Sequence, residues 1–154
     1  DLPEDLPYLF ADARRVKQIL INLLSNAVKF SKHQGEVIVS AFTSDKGGLC
    51  LSVLDKGIGI SAEDLQRVMD PFHQVSEALT RNHEGTGLGL HIVKSLVELH
   101  GGEVSIESEM DIGTNVFVEF PKERCLDRLS LSVKLKDQED KTKAEVKPDG
   151  QPLH

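Results

Sequence analysis

Ile21-Asn22-Leu23-Leu24-Ser25-Asn26-Ala27-Val28-Lys29-Phe30 ends a run of helical spacing that starts near Ala13, and the way its polar residues line up decides the fold. At about 100° per residue, Arg15, Gln18, Asn22, Asn26 and Lys29 fall in one narrow stripe, while Val16, Ile19, Leu20, Leu23, Leu24, Ala27 and Val28 cover the rest of the surface. The spacing predicts a helix over 13–30, capped by Asp12 and mostly buried. A polar stripe is ordinarily just the solvated side of a helix. Two asparagines one turn apart weaken that explanation, because Asn competes for backbone hydrogen bonds in mid-helix and adds less solubility than Glu or Lys.

Outward from this helix the elements alternate. Tyr8 to Phe10 reads as a short strand. Glu36 to Phe42 and Leu49 to Leu54 read as an antiparallel pair joined by the turn Ser44-Asp45-Lys46-Gly47-Gly48. A short helix from Ala62 to Met69 starts at Ser61, with Asp64 completing a capping box. His73 to Glu84 has no clear period and reads as a long loop. Leu88 to Leu99 is helical and stops at Gly101-Gly102, and a second hairpin follows over 103–108 and 115–120. Helices should therefore cover one face of a sheet.

Composition sets the limits. The 154 residues fit one domain, with 39% apolar and 28% charged residues and no apolar run long enough to cross a bilayer. A net charge of -7 without a Lys/Arg cluster argues against nucleic acid as the main partner. Cys50 and Cys125 lack metal-ligand spacing and read as free thiols of a reducing compartment.

Three further segments carry chemistry. Asp55-Lys56-Gly57-Ile58-Gly59-Ile60-Ser61 follows a strand directly, and its glycines let the backbone turn and approach a flat ligand. An ordinary turn has the same pattern, but a carboxylate at a strand end can also accept a hydrogen bond from an exocyclic amine, which makes Asp55 the candidate for reading adenine. Asp70-Pro71-Phe72 opens the loop, and Gly85-Thr86-Gly87-Leu88-Gly89-Leu90 closes it at a helix start, where backbone N–H groups favour phosphate. A hinge is the plainer reading of three glycines. Two glycine-rich motifs framing a polar loop suggest instead a lid over a nucleotide. In that setting the carboxamide oxygen of an asparagine on the stripe can ligate Mg2+, and a lysine one turn further on can reach phosphate oxygens. Neither glycine motif has the pattern of a P-loop or a dinucleotide-binding fingerprint.

The order N-x-x-x-N-A-x-K-F, D-x-G-x-G-I, D-P-F, G-T-G-L-G-L resembles the catalytic ATP-binding domain of sensor histidine kinases, in the superfamily of gyrase-type topoisomerases, MutL proteins and heat-shock chaperone ATPases. The resemblance covers residues 1–121 and implies a Bergerat-type α/β (α+β) sandwich, with a mixed, largely antiparallel sheet of about five strands and three helices on one face. It implies ATP and Mg2+ as cofactors, with Asn26 on the metal and Asn22 and Lys29 on phosphates. Phe30 would pack near the base, Asp55 would bind the adenine amine with support from the Thr114 hydroxyl, and Gly57, Gly59 and Ile60 would line the base pocket. Gly85, Thr86, Gly87, Leu88, Gly89 and Leu90 would form the phosphate side; two residues after Phe72, where many family members carry Arg or Lys, this chain has Gln74, so Arg81, nearer the second glycine motif, is the remaining lid cation and is expected to reach the γ-phosphate.

Where ATPases of the superfamily place a water-activating glutamate one turn before the magnesium asparagine, this chain has Asn22, which cannot act as a general base. The resemblance therefore implies phosphotransfer to a histidine. His33, His73, His83, His91, His100 and His154 lack the acceptor context and read as surface residues, so the acceptor belongs to a dimerisation and phosphoacceptor domain outside this chain. A response regulator would act downstream, and the domain would work in the cytoplasm without membrane contact. A self-sufficient ATPase, an anti-sigma-type serine kinase and a pseudokinase interaction module are the alternatives, distinguished by phosphate release, by substrate and by loss of ATP binding. Residues 122–154 form a separate tail: Leu129, Leu131, Val133 and Leu135 alternate as in a strand, and disorder is expected from Lys136 onward.

Overall fold

A computed structural model describes residues 3, 5–73, 87–127 and 131. Strand β1 (Tyr8–Leu9) precedes helix α1 (Ala13–Phe30), which starts where the Asp12 carboxylate accepts hydrogen bonds from the backbone N–H groups of Arg14 and Arg15. Strands β2 (Val37–Thr43) and β3 (Leu49–Asp55) form the expected hairpin, closed by Ser44 and Gly48. A single turn of helix, α2 (Ala62–Leu65), leads towards Phe72, and α3 (Gly89–Leu99), β4 (Glu103–Glu109), β5 (Gly113–Phe120) and β6 (Cys125–Leu126) follow.

The main sheet has the order β2-β3-β5-β4, and each of its pairs is antiparallel. It has four strands where about five were expected, because β1 pairs with β6 in a separate two-stranded sheet, Tyr8 opposite Leu126 and Leu9 opposite Cys125. On one face lie α1 and α3. Ile19, Leu23 and Ala27 of α1 and Val93, Leu96 and Val97 of α3 meet Val53, Val116, Val118 and Phe120 of the central strands in one core. Each fully buried Val, Leu, Ile or Phe there contributes about 1.5–3 kcal/mol.

Helix α3 ends as its glycines direct. Gly101 takes a φ of 73°, its N–H donates to Glu98 O, and the Gly102 N–H donates to Val97 O, which satisfies carbonyls the last turn leaves open.

Four local expectations change. α1 is less buried than its apolar count suggests: Ile21 is 54% exposed and Val28 68%, since a helix lying on a two-layer core buries only one side. α2 ends at Leu65 instead of Met69, and turns carry the chain on. His100 is buried, not on the surface. It caps α3 with Nδ1–H on Leu96 O at 2.7 Å, and Nε2 accepts the Asp12 N–H at 3.3 Å, so its ring joins the end of α3 to the start of α1. Phe120 meets that ring edge to face. Of the tail, 122–127 and 131 are described: a turn over Lys122–Arg124 leads into β6, and of the four alternating residues Leu131 is described, its N–H donating to Asp127 O at helical spacing; 128–130 and 132–154 lie outside the described residues.

Candidate functional site

Where the C-terminal half of α1 passes over the ends of β3 and β5, the core opens into a cleft. Leu23, Ala27, Val53, Ile58, Ile60, Val68, Leu90 and Val116 make its walls apolar, and the polar side chains among its lining are Asn26, Asp55 and Thr114. Such a cleft suits a flat apolar ring system with a few hydrogen-bonding groups at its edge.

The loop from Asp55 to Ile60 is shaped by what it touches. Ser31 and Gly57 form a bridge beyond the end of α1, and the Ile58 N–H donates to Phe30 O. At Gly59 the backbone is left-handed, with φ 70°, and a Cβ would stand 2.0 Å from Glu109 O, so only glycine fits. The Ile60 N–H is held by Ser108 Oγ at 2.8 Å.

Asp55 lies at the end of β3, directly opposite Thr114 on β5. Its side chain is buried, and Oδ1 has no hydrogen-bond donor among the described residues. Burial raises its pKa above the ordinary carboxylate value, while the backbone N–H groups of Gly57 and Thr114 pull the other way. An acceptor left open in an apolar cleft is costly unless a ligand supplies the donor.

The polar stripe of α1 leaves the cleft in the other direction. Asn26 lies against α3, where a Cβ on Gly89 would come 3.5 Å from its carboxamide. One turn earlier, Asn22 Nδ2 is buried with no acceptor among the described residues. Lys29 Nζ rests 4.8 Å from the centre of the Phe30 ring. An orphaned donor, a carboxamide and a cation thus stand along one helix face beside the apolar cleft. That set suits an anion attached to the ring system. The Asn26 carboxamide oxygen also fits Mg2+ held largely by a ligand's own oxygens and water.

Of the residues proposed from sequence, Asn26, Phe30, Asp55, Gly59, Ile60, Leu90 and Thr114 line the cleft. Gly57 adjoins Asp55, and Asn22 and Lys29 lie along the adjoining helix face. Gly87 lies against the backbone of Phe72 and His73, which brings two of the motifs together, and Leu88 precedes α3. Arg81, Gly85 and Thr86 lie outside the described residues. Sequence reasoning missed Val68, whose turn it read as plain helix, and Ser108, a serine in an alternating strand with no motif around it. Both thiols are raised by burial and take no part in the cleft.

The family described as histidine kinase-, DNA gyrase B-, and HSP90-like ATPase matches residues 11–124, and the chain belongs to it. Within it, the relatives are histidine kinases. A sensor-like histidine kinase of Rhizobium meliloti is 50% identical over 113 residues, 73% of this chain and 21% of the relative. Histidine protein kinase DivJ of Caulobacter vibrioides is 49% identical over 111 residues, 72% of this chain and 18% of the relative. Among solved structures, full-length ShkA in complex with AMPPNP superposes with a TM-score of 0.68 at 33% identity, covering 82% of this chain and 25% of that one. The mycobacterial sensor histidine kinase MprB gives 0.68 at 29% identity, covering 77% and 78%. The chain is thus an ATP-binding catalytic domain of the sensor histidine kinase type, and it spans about a fifth of the curated relatives it matches. No helix among the described residues is long and apolar enough to cross a membrane.

Proposed function

We propose that this domain holds Mg-ATP with its base in the apolar cleft and its phosphates along α1, and donates the γ-phosphate to a histidine on a dimerisation and phosphoacceptor domain of the same parent protein. The observation that carries this reading is the pairing of two buried atoms without a hydrogen-bond partner among the described residues, the acceptor Asp55 Oδ1 at the cleft and the donor Asn22 Nδ2 on the helix face. ATP has a complement for each, an exocyclic amine at one end and phosphate oxygens at the other.

The adenine amine donates to Asp55, and the ring lies between Phe30 and the Gly57 to Ile60 loop. Asn22 and Lys29 orient the phosphates, and Lys29 balances charge that develops as the γ-phosphate leaves. Asn26 is the residue that would hold Mg2+, which when bound neutralises phosphate charge. Because Asn22 cannot take a proton from water, bound ATP is kept for an incoming imidazole, which forms phosphohistidine by in-line displacement of ADP. His100 is excluded as acceptor, since both of its ring nitrogens are engaged. Arg81, Gly85 and Thr86 complete the phosphate side, and residues 1–121 form the catalytic unit. It works in the cytoplasm, with a response regulator as the downstream acceptor.

Titration calorimetry of the chain with a nonhydrolysable ATP analogue, with and without Mg2+, tests the site. Binding that Asp55→Ala abolishes is expected, and equal binding by that variant would overturn the assignment. Incubation with labelled ATP should give little phosphate release and little self-labelling. Steady hydrolysis by the isolated chain would favour an ATPase.

A further inference from the structure

The Ser108 hydroxyl lies behind the base end of the cleft, where it joins three segments. Its Oγ accepts the Ile60 N–H at 2.8 Å, stands 2.9 Å from Gly113 O, and stands 2.9 Å from Thr114 Oγ1. A hydroxyl has one proton and two lone pairs. The Gly113 carbonyl can only accept, so the Ser108 proton goes there. One lone pair of Ser108 is taken by the Ile60 N–H, and the other is left for the Thr114 proton. The opposite arrangement, with Ser108 donating to Thr114, would leave the Gly113 carbonyl without its donor at 2.9 Å.

The direction of the Thr114 hydroxyl follows. Its proton is turned towards Ser108 and away from the cleft, which therefore meets only its lone pairs. Asp55, opposite Thr114 in the register, presents a second acceptor, whose Oδ1 has no hydrogen-bond donor among the described residues. Two neighbouring acceptors suit an amine, which has two protons to give. A carbonyl oxygen in the same place would meet acceptors on both sides with no proton between them, and the unpaired groups would weaken binding.

We propose that Ser108 is a positioning residue for base selectivity: by fixing the Thr114 hydroxyl as an acceptor, it makes the cleft prefer a 6-amino over a 6-oxo purine nucleotide. This rests on the nucleotide reading of the cleft. Removing Ser108 frees the Thr114 proton to turn into the cleft, where it can serve a carbonyl oxygen.

The test is calorimetric measurement of ATP and GTP affinity, with Mg2+, for the whole chain and its Ser108→Ala, Ser108→Thr, Thr114→Val and Ser108→Ala/Thr114→Val variants. The ratio of the two affinities should fall about tenfold in Ser108→Ala and be kept in Ser108→Thr, which retains the hydroxyl. With Thr114→Val already present, adding Ser108→Ala should leave the ratio within about twofold, since the residue acts through Thr114. If the alanine variant does not fold, Ser108→Cys, with nearly the same volume and a much weaker donor and acceptor, gives the same reading. Equal weakening of both nucleotides, or an undiminished effect in the Thr114→Val background, overturns the proposal. A wild-type chain that binds neither nucleotide removes the functional reading and this inference with it. A selective wild type with an equally selective alanine variant removes the inference alone.

Discussion

Asp55 Oδ1 and Asn22 Nδ2 are buried without a hydrogen-bond partner among the described residues, and in the proposed function bound ATP supplies one to each. The Asp55 carboxyl is raised by burial above its ordinary 3.8, so the folded state holds its proton more tightly than the unfolded chain. Its unfavourable contribution is absent at low pH, where both states are protonated, and develops as pH rises from 3.8 through the folded value. Asp55→Asn should therefore melt higher than wild type at neutral pH without ligand, lose that slope, and bind ATP at least about tenfold more weakly. Thermal melts from pH 3 to 8 and calorimetry check the three together; a lower melting temperature at pH 7 would contradict the buried-charge account. ATP affinity of the wild type should begin to fall, on acidification, above the pH at which an ordinary carboxylate would titrate. At Asn22 the orphan is a donor, so Asn22→Ala should weaken ATP binding while costing the free protein little, read from melts with and without nucleotide.

At the level of elements, α1 and α3 make different demands. The exposed stripe of α1 predicts that Val28→Lys changes stability by no more than about 0.5 kcal/mol in urea unfolding, as for a surface position. A loss of several kcal/mol would mean that Val28 is packed after all. At the end of α3, Gly101→Ala forces a Cβ into a left-handed backbone and should cost about 1–2 kcal/mol. A Cβ there has room, its nearest neighbour being Pro121 Cγ at 3.7 Å, so the cost is conformational and the urea dependence should keep its slope. These elements also show how far the sequence could be read. α1, the two hairpins and the α3 stop were legible because period and turn chemistry are local. The burial of His100 was not, because it depends on Asp12, 88 positions away, meeting its ring. Nor was the length of α2, since Ser61 and Asp64 start a helix without fixing where it ends. In the cleft, residues within glycine-rich motifs stood out, whereas Val68, in its wall, and Ser108, bonded to Ile60 and beside Thr114 of its lining, are ordinary residues placed there by packing.

For the molecule as a whole, the strand count differs from expectation because two short segments from opposite ends of the sequence found each other. Leu9 packs on the core, and β6 supplies its strand partner. A chain ending at Pro121 should therefore melt below one ending at Asp127, by a few degrees for a loss of about 1 kcal/mol. Equal melting temperatures would mean that the unit needs nothing beyond residue 121. The rest of the architecture was legible from the alternation of strands with helical stretches, but no local signal at Cys125 or Leu126 announces a pairing so far along the chain.

The β1–β6 ribbon has a consequence for how such a domain can be mounted. Among the described residues the first strand and the last lie directly across from each other, Tyr8 opposite Leu126, and Phe10 N–H donates to Arg124 O at 2.7 Å beside that point. A unit whose two ends share one doorway can be spliced into a surface loop of another protein, or have its order rearranged around a short bridge, without stretching the rest of the fold. A pull on either end is taken up first by a ribbon of two residues per strand, ahead of the sheet and the cleft. Among the described residues that ribbon is thus the latch through which the cleft would be carried, like a cartridge, by whatever it is joined to.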